Sequence, residues 1–157
     1  MTERSVTHGS FVVERTYDAS PARVFAAWAD PAIKARWFKG PEEWGPGAYE
    51  LDFRVGGREI SRGGSPGGPV YSYEALYQDI VPEQRMVYTY AMDRDETRIS
   101  VSLGTVELTP AGSGTRLVYT EQGAFLDGHD SPDQREQGTD SLLDALEAEL
   151  RRETANA

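Results

Sequence analysis

The chain has 157 residues, a formal net charge of −10 and no cysteine, with 38% apolar and 10% aromatic residues. That is enough length and apolar content to bury a core, and the missing cysteines exclude disulfides, thiolate metal sites and a cysteine nucleophile. No cluster of Lys or Arg offsets the acidity, so the electrostatic footprint of a nucleic-acid-binding protein is missing.

Met1 to Ser10 is polar and carries no signal-peptide core, and the longest apolar run, Val24 to Ala29, is too short to span a bilayer. These features predict a cytoplasmic protein that neither enters membranes nor binds nucleic acid. Phe11 to Tyr17 reads as a first strand. Ser20-Pro21 and Asp30-Pro31 each pair a capping side chain with a proline at the first helical position. Two short helices are therefore expected, the first burying Val24, Phe25 and Trp28, the second Ile33 and Trp37.

After a Pro/Gly-rich connection from Gly40 to Gly47, Tyr49, Leu51, Phe53 and Val55 alternate with polar residues, as in a strand with one buried face. Gly56-Gly57 turns the chain into a polar strand, Arg58 to Arg62, and Gly63 to Pro69 forms a loop. Strands follow at Val70 to Ile80, Met86 to Met92, Arg98 to Thr109 and Thr115 to Gly123. The apolar phase slips between Leu103 and Val106, which predicts a bulge near Gly104. Ser131-Pro132-Asp133-Gln134 opens a last helix reaching about Arg152, striped by Leu142, Leu143, Leu146 and Leu150. A frayed tail is expected after it, and one domain covers residues 1–157 with its core at about 11–152.

Several stretches carry a family resemblance: Glu14-Arg15-Thr16-Tyr17, Ala22 through Trp28, Asp30-Pro31, Arg36-Trp37-Phe38, Asp52 through Arg58, Ile80 through Arg85 and Gly114 through Leu117. In order and content they resemble bacterial proteins similar to the C-terminal domain of the heat-shock-protein ATPase activator. These form a branch of the SRPBCC superfamily, which includes the birch pollen allergen, START domains and polyketide cyclases. The resemblance implies an α+β helix-grip fold: a curved antiparallel sheet of about seven strands around a long C-terminal helix, with two short helices after strand one. Two departures stand out. Glu59 and Ser61 occupy positions that are usually aromatic or aliphatic, and Gly138-Thr139 stands where a Gly-Trp pair is frequent.

Counting back along the last helix from Leu142 and Leu143 places Gly138, Thr139 and Arg135 on the inward face. Small residues there leave either a void against the sheet or a gap that Tyr and Trp side chains fill. A buried Arg135 needs a partner, and Glu59 or Glu121 is expected to pair with it, Glu121 following Leu117 and Tyr119 in inward phase. Tyr73, Tyr77, Tyr88 and Tyr90 cluster on adjacent strands, either as cross-strand packing or as a wall for an amphipathic ligand. Trp37, Phe38, Trp44 and Phe53 complete the candidate lining, with Trp37 also a natural core residue.

His129 lies among carboxylates without a second His nearby, so no metal is expected. Nucleotide fingerprints are absent from the sequence, the glycine run after Arg62 opens no helix as a nucleophile elbow or a phosphate-binding loop would, and no cofactor is expected. The leading expectation is binding of a small hydrophobic or amphipathic, aromatic or lipid-like molecule between sheet and helix. The alternatives are a cyclase-like enzyme using Glu59 or Glu121, and a chaperone-interacting protein. Homodimerisation is a further expectation drawn from the resemblance, with no interface legible in the sequence.

Overall fold

The computed structural model describes residues 3–155, with side chains through Arg152. Strand β1 (Val6–Tyr17) leads to helices α1 (Pro21–Ala29) and α2 (Pro31–Trp37) and a 3-10 turn, Glu42–Trp44. Strands β2 (Ala48–Leu51), β3 (Arg58–Gly63), β4 (Tyr71–Val81), β5 (Arg85–Arg94), β6 (Thr97–Ala111) and β7 (Gly114–Leu126) follow, and α3 (Pro132–Ala155) ends the fold. The strands form one antiparallel sheet in the order β1-β7-β6-β5-β4-β3-β2. This is the expected α+β helix-grip arrangement. Helix α3 runs beyond Arg152 to Ala155, and the end of the expected tail lies outside the described residues.

The helix starts follow from their caps. Ser20 Oγ accepts the Arg23 N–H at 3.3 Å, Asp30 Oδ1 accepts that of Ala32 at 2.9 Å, and Ser131 Oγ accepts that of Gln134 at 3.2 Å. Helix α3 lies along the inner face of β1. A Cβ on Gly9 would come within 2.3 Å of Pro132 Cγ, so only glycine allows this approach. Further along, the Tyr17 hydroxyl donates to the Leu143 carbonyl at 2.9 Å. The other flank of α3 is tied to α1 and α2. Arg23 donates to the Leu150 carbonyl at 2.8 Å, and Arg36 grips the Glu149 carboxylate with two bonds of 3.0 and 3.1 Å. Leu143, Leu146 and Leu150 are buried in a core that also holds Val24, Trp28, Met86, Val106 and Leu117.

Three local expectations need correction. β2 stops at Leu51, because Asp52 to Gly57 folds into a turn in which Gly57 N bonds the Arg54 carbonyl and Gly56 N bonds that of Tyr77. Val55 is consequently exposed. No bulge occurs at Gly104, which pairs in regular register with Tyr88 and Glu121. The irregularities lie at Tyr77/Asp79 and Met92/Asp93. The phase slip arises because the inward positions of β6 are Ser100, Ser102 and Gly104 before they become Val106 and Leu108. Finally, Gly138 is exposed and a Cβ there would touch nothing, so it does not face the sheet.

Candidate functional site

The inner face of the sheet carries two fully buried carboxylates, Glu59 on β3 and Glu121 on β7. Three strands separate them. Each gathers its own cation and its own tyrosines.

Lys34, from α2, reaches Glu59 with its Nζ 2.7 and 2.9 Å from the two carboxylate oxygens. The Tyr49 hydroxyl donates to the second oxygen, and the Tyr77 and Tyr73 hydroxyls lie 3.1 and 3.4 Å from the first. The ammonium also sits 4.5 Å from the Phe38 ring centre and 5.0 Å from that of Trp28, a cation–π cage. Burial lowers the Lys34 pKa, with the Glu59 charge acting against the shift. A buried ammonium is tolerable here because the carboxylate lies in direct contact and the rings supply negative faces.

At the other end, Glu121 accepts from the Tyr119 hydroxyl at 2.6 Å, Tyr90 at 2.7 Å and Ser102 at 2.9 Å. Arg135 enters from the first turn of α3. Its Nη1 donates to the Tyr90 oxygen at 2.8 Å and lies 3.4 Å from Glu121, while Nη2 donates to Ser100 at 2.7 Å and Asp130 at 2.8 Å. A directed chain results: guanidinium to phenol oxygen, phenol proton to carboxylate. Burial opposes the charge on Arg135, but Tyr90, Glu121 and Asp130 outweigh it and raise its pKa. Tyr73, Tyr77 and Tyr90 also shift upward, chiefly through burial and then through the nearby carboxylates, and Tyr119 does so through burial, then Tyr88 and Tyr90, then Glu121. They therefore serve as hydroxyl donors.

Aromatic rings pack against one another between the clusters. The Tyr73 and Tyr90 ring centres are 4.8 Å apart, Phe38 lies 5.0 Å from Tyr73, and Phe53 lies 5.0 Å from Tyr77. Tyr88 fits over Gly104, where a Cβ would stand 2.8 Å from its ring. Of the expected site residues, Glu121 and Arg135 do meet, whereas Glu59 is bound to Lys34, which the sequence reading did not single out. Trp37 is core, its indole N–H bonded to the Ala27 carbonyl at 2.9 Å. Trp44 stacks on Tyr71 at 5.5 Å, away from both carboxylates. Thr139 is buried on the inner face of α3, and Leu142 and Phe53 are partly buried against the core. Trp28 Nε1 is the one buried side-chain polar atom without a hydrogen-bond partner among the described residues.

Two open concavities lie away from this interior. One, about 490 Å³, sits on the β2–β3 hairpin beside Glu50, Arg54 and Arg58. The other, about 610 Å³, lies beside His8, Ser10, Thr89, Val101 and Gln122 on β1, β5, β6 and β7. Among the described residues, no group of three or more His, Asp or Glu is placed to hold a metal, and no helix is long and apolar enough to cross a membrane.

Residues 18–151 match the family described as Activator of Hsp90 ATPase homolog 1-like protein. The chain belongs to this family. It is similar to an uncharacterized protein from Rhizobium leguminosarum, with 46% identity and a TM-score of 0.91 over 96% of this chain and 99% of that one. It is also similar to the Mll3558 protein from Rhizobium loti, at 53% identity and a TM-score of 0.86 over 93% and 99% of the two chains. Protein CV1439 from Chromobacterium violaceum shares the fold at 25% identity, with a TM-score of 0.74 over 90% and 96%. No curated protein matches the chain. Within the family the fold is thus held in common, and the two buried clusters are the features of this member on which a functional reading can rest.

Proposed function

We propose that this family member binds a small amphipathic aromatic molecule between the sheet and α3, in the cytoplasm and without a cofactor. The observation that carries the reading is the convergence of tyrosine hydroxyls on two fully buried, cation-paired carboxylates. Burying an ion pair costs several kcal/mol per ion, and apolar residues of similar volume stabilise a core as well or better. Two such pairs on one face of the sheet are a costly way to fill a core and an apt way to orient polar groups of a ligand. The orphan N–H of Trp28, beside Lys34, adds a donor with no acceptor among the described residues. Phe38, Phe53 and Leu142, all only partly buried, supply apolar contact around the clusters.

The test is native mass spectrometry of the purified protein, followed by thermal-shift titration with 2-naphthol and with myristate. The expected result is a shift with the naphthol that is lost in Tyr90→Phe and Glu121→Gln, and a smaller one with the fatty acid. No co-purified mass and no shift with either probe would refute the reading.

A second reading, a cyclase-like enzyme, draws on the Arg135–Tyr90–Glu121 chain, which could hold and polarise a phenolic or enolic oxygen. On that reading Glu59→Gln and Glu121→Gln stay folded and at least one abolishes turnover. The family's name supports a third, chaperone-directed role. It would prevail if the protein stimulated a chaperone ATPase and bound neither probe.

A further inference from the structure

We propose that the free edge of β1 is a homodimer interface, in which β1 pairs antiparallel with β1 of a second copy about Gly9 and joins the two sheets into one. The sheet has two edges, and they are treated differently. β2 is only four residues long, whereas β1 spans twelve and pairs with β7 from Val6 to Tyr17 without a bulge. β1 contains no proline and, from Val6 to Val13, no Lys, Arg, Asp or Glu, so the usual guards against edge pairing are missing.

The direction of its backbone groups is fixed by Ser5. The Asp127 N–H donates to the Ser5 carbonyl at 2.9 Å, so odd-numbered residues face β7 in the alternation of an antiparallel ladder. The N–H and C=O groups of Val6, His8, Ser10 and Val12 then point to the open edge. These four residues are exposed, and among the described residues no hydrogen bond outside the β7 ladder engages their backbone.

A second copy fits this edge better than an arbitrary strand. With Gly9 opposite Gly9, Val6 faces Val12 of the other copy and His8 faces Ser10, each combination occurring twice. Four pairs exchanging two bonds each supply about eight backbone hydrogen bonds. The two valines, 54% and 55% exposed, cover one another on the outer face. In the same register Arg4 falls opposite Glu14 and Glu3 opposite Arg15, so charges at both ends of the strand are complementary. At present Arg4 pairs with Asp127 and Glu14 with Arg116, and because Arg4, Glu14 and Arg116 are exposed these pairs are weak enough to exchange. Helix α3 covers the inner face only, Pro132 resting against Gly9 and Asp140 and Asp144 meeting Arg15 at 3.1 and 3.4 Å, so the outward side chains of Val6, His8, Ser10 and Val12 stay uncovered.

Sedimentation velocity over a concentration series, combined with amide hydrogen exchange, tests the interface. The full chain is expected to dimerise, with the amides of Val6, His8, Ser10 and Val12 protected in the dimer and exchanging rapidly on dilution. Ser10→Pro removes an N–H that β7 does not use, and is expected to weaken dimerisation about tenfold or more while circular dichroism is unchanged. Should that variant fail to fold, Val6→Lys/Val12→Lys places like charges across the two-fold and serves instead. Arg4→Glu weakens the dimer and Arg4→Glu/Glu14→Arg restores it if the register is the one described. A monomer at every concentration overturns the proposal, as does a dimer indifferent to both sets of edge variants.

Discussion

Alkaline unfolding should be unusually steep. Seven tyrosines (Tyr17, Tyr49, Tyr73, Tyr77, Tyr88, Tyr90 and Tyr119) have their pKa raised above the ordinary value of 10, in each case first by burial. In the unfolded chain they lose protons near pH 10 while the folded chain keeps them, so the unfolded state binds fewer protons and stability falls as pH rises. At pH 11 each contributes a loss of about 1.4 kcal/mol, and the seven together about 10 kcal/mol. That is comparable with the whole stability of a typical domain, about 5–15 kcal/mol. Lys34 acts in the opposite sense: its lowered pKa adds stability as pH rises toward its ordinary 10.5, but one group offsets only part of the loss from seven. Tyrosinate absorbance and near-ultraviolet circular dichroism, followed together, should show one cooperative transition between about pH 10.5 and 11.5. Gradual ionisation of most of the tyrosines with the dichroism intact would refute the reasoning, because it would mean that solvent reaches the hydroxyls in the folded chain.

Lys34→Met leaves the Glu59 charge buried without its cation and should cost about 3–5 kcal/mol in denaturant unfolding, whereas Lys34→Met/Glu59→Leu should recover most of it. Gly104→Ala puts a Cβ 2.8 Å from the Tyr88 ring and should destabilise by about 1–3 kcal/mol, the midpoint shift being the readout. Gly138→Ala meets no neighbour in an exposed helical position and should stabilise by about 0.5–1 kcal/mol, measured the same way.

The fold was legible because its signals are local and repeated. Ser20-Pro21, Asp30-Pro31 and Ser131-Pro132 start the three helices where they predict, since a side-chain acceptor and a proline suit the first turn whatever packs against it. Alternation located most strands, but it failed at Phe53 and Val55, where the pattern continues while the backbone turns at Gly56, whose φ is +84°. It also missed the first five residues of β1, Val6 to Ser10, where the side chains of Val6, Thr7, His8 and Ser10 face solvent and Gly9 has none, so no apolar rhythm results.

The site was harder to read because burial of charge breaks the rule by which burial is inferred. Glu121 and Arg135 could be placed by continuing the phase of apolar neighbours. Lys34 could not, since next to Ile33 on a short helix it reads as a solvated flank, and only the arrival of Glu59 from β3 makes its burial tolerable. The pairing was open for a similar reason: three strands lie between Glu59 and Glu121, so one arginine cannot serve both, and strand order is a tertiary fact. Ser100, Ser102 and Gly104 show the same effect in reverse. Their inward positions looked like a slipped register, yet the serines are hydroxyl partners of Arg135 and Glu121, and the glycine makes room for the Tyr88 ring. A break in apolar rhythm inside a regular strand therefore marks where this chain departs from packing alone. The break falls beside the cluster to which the ligand reading assigns a polar anchor.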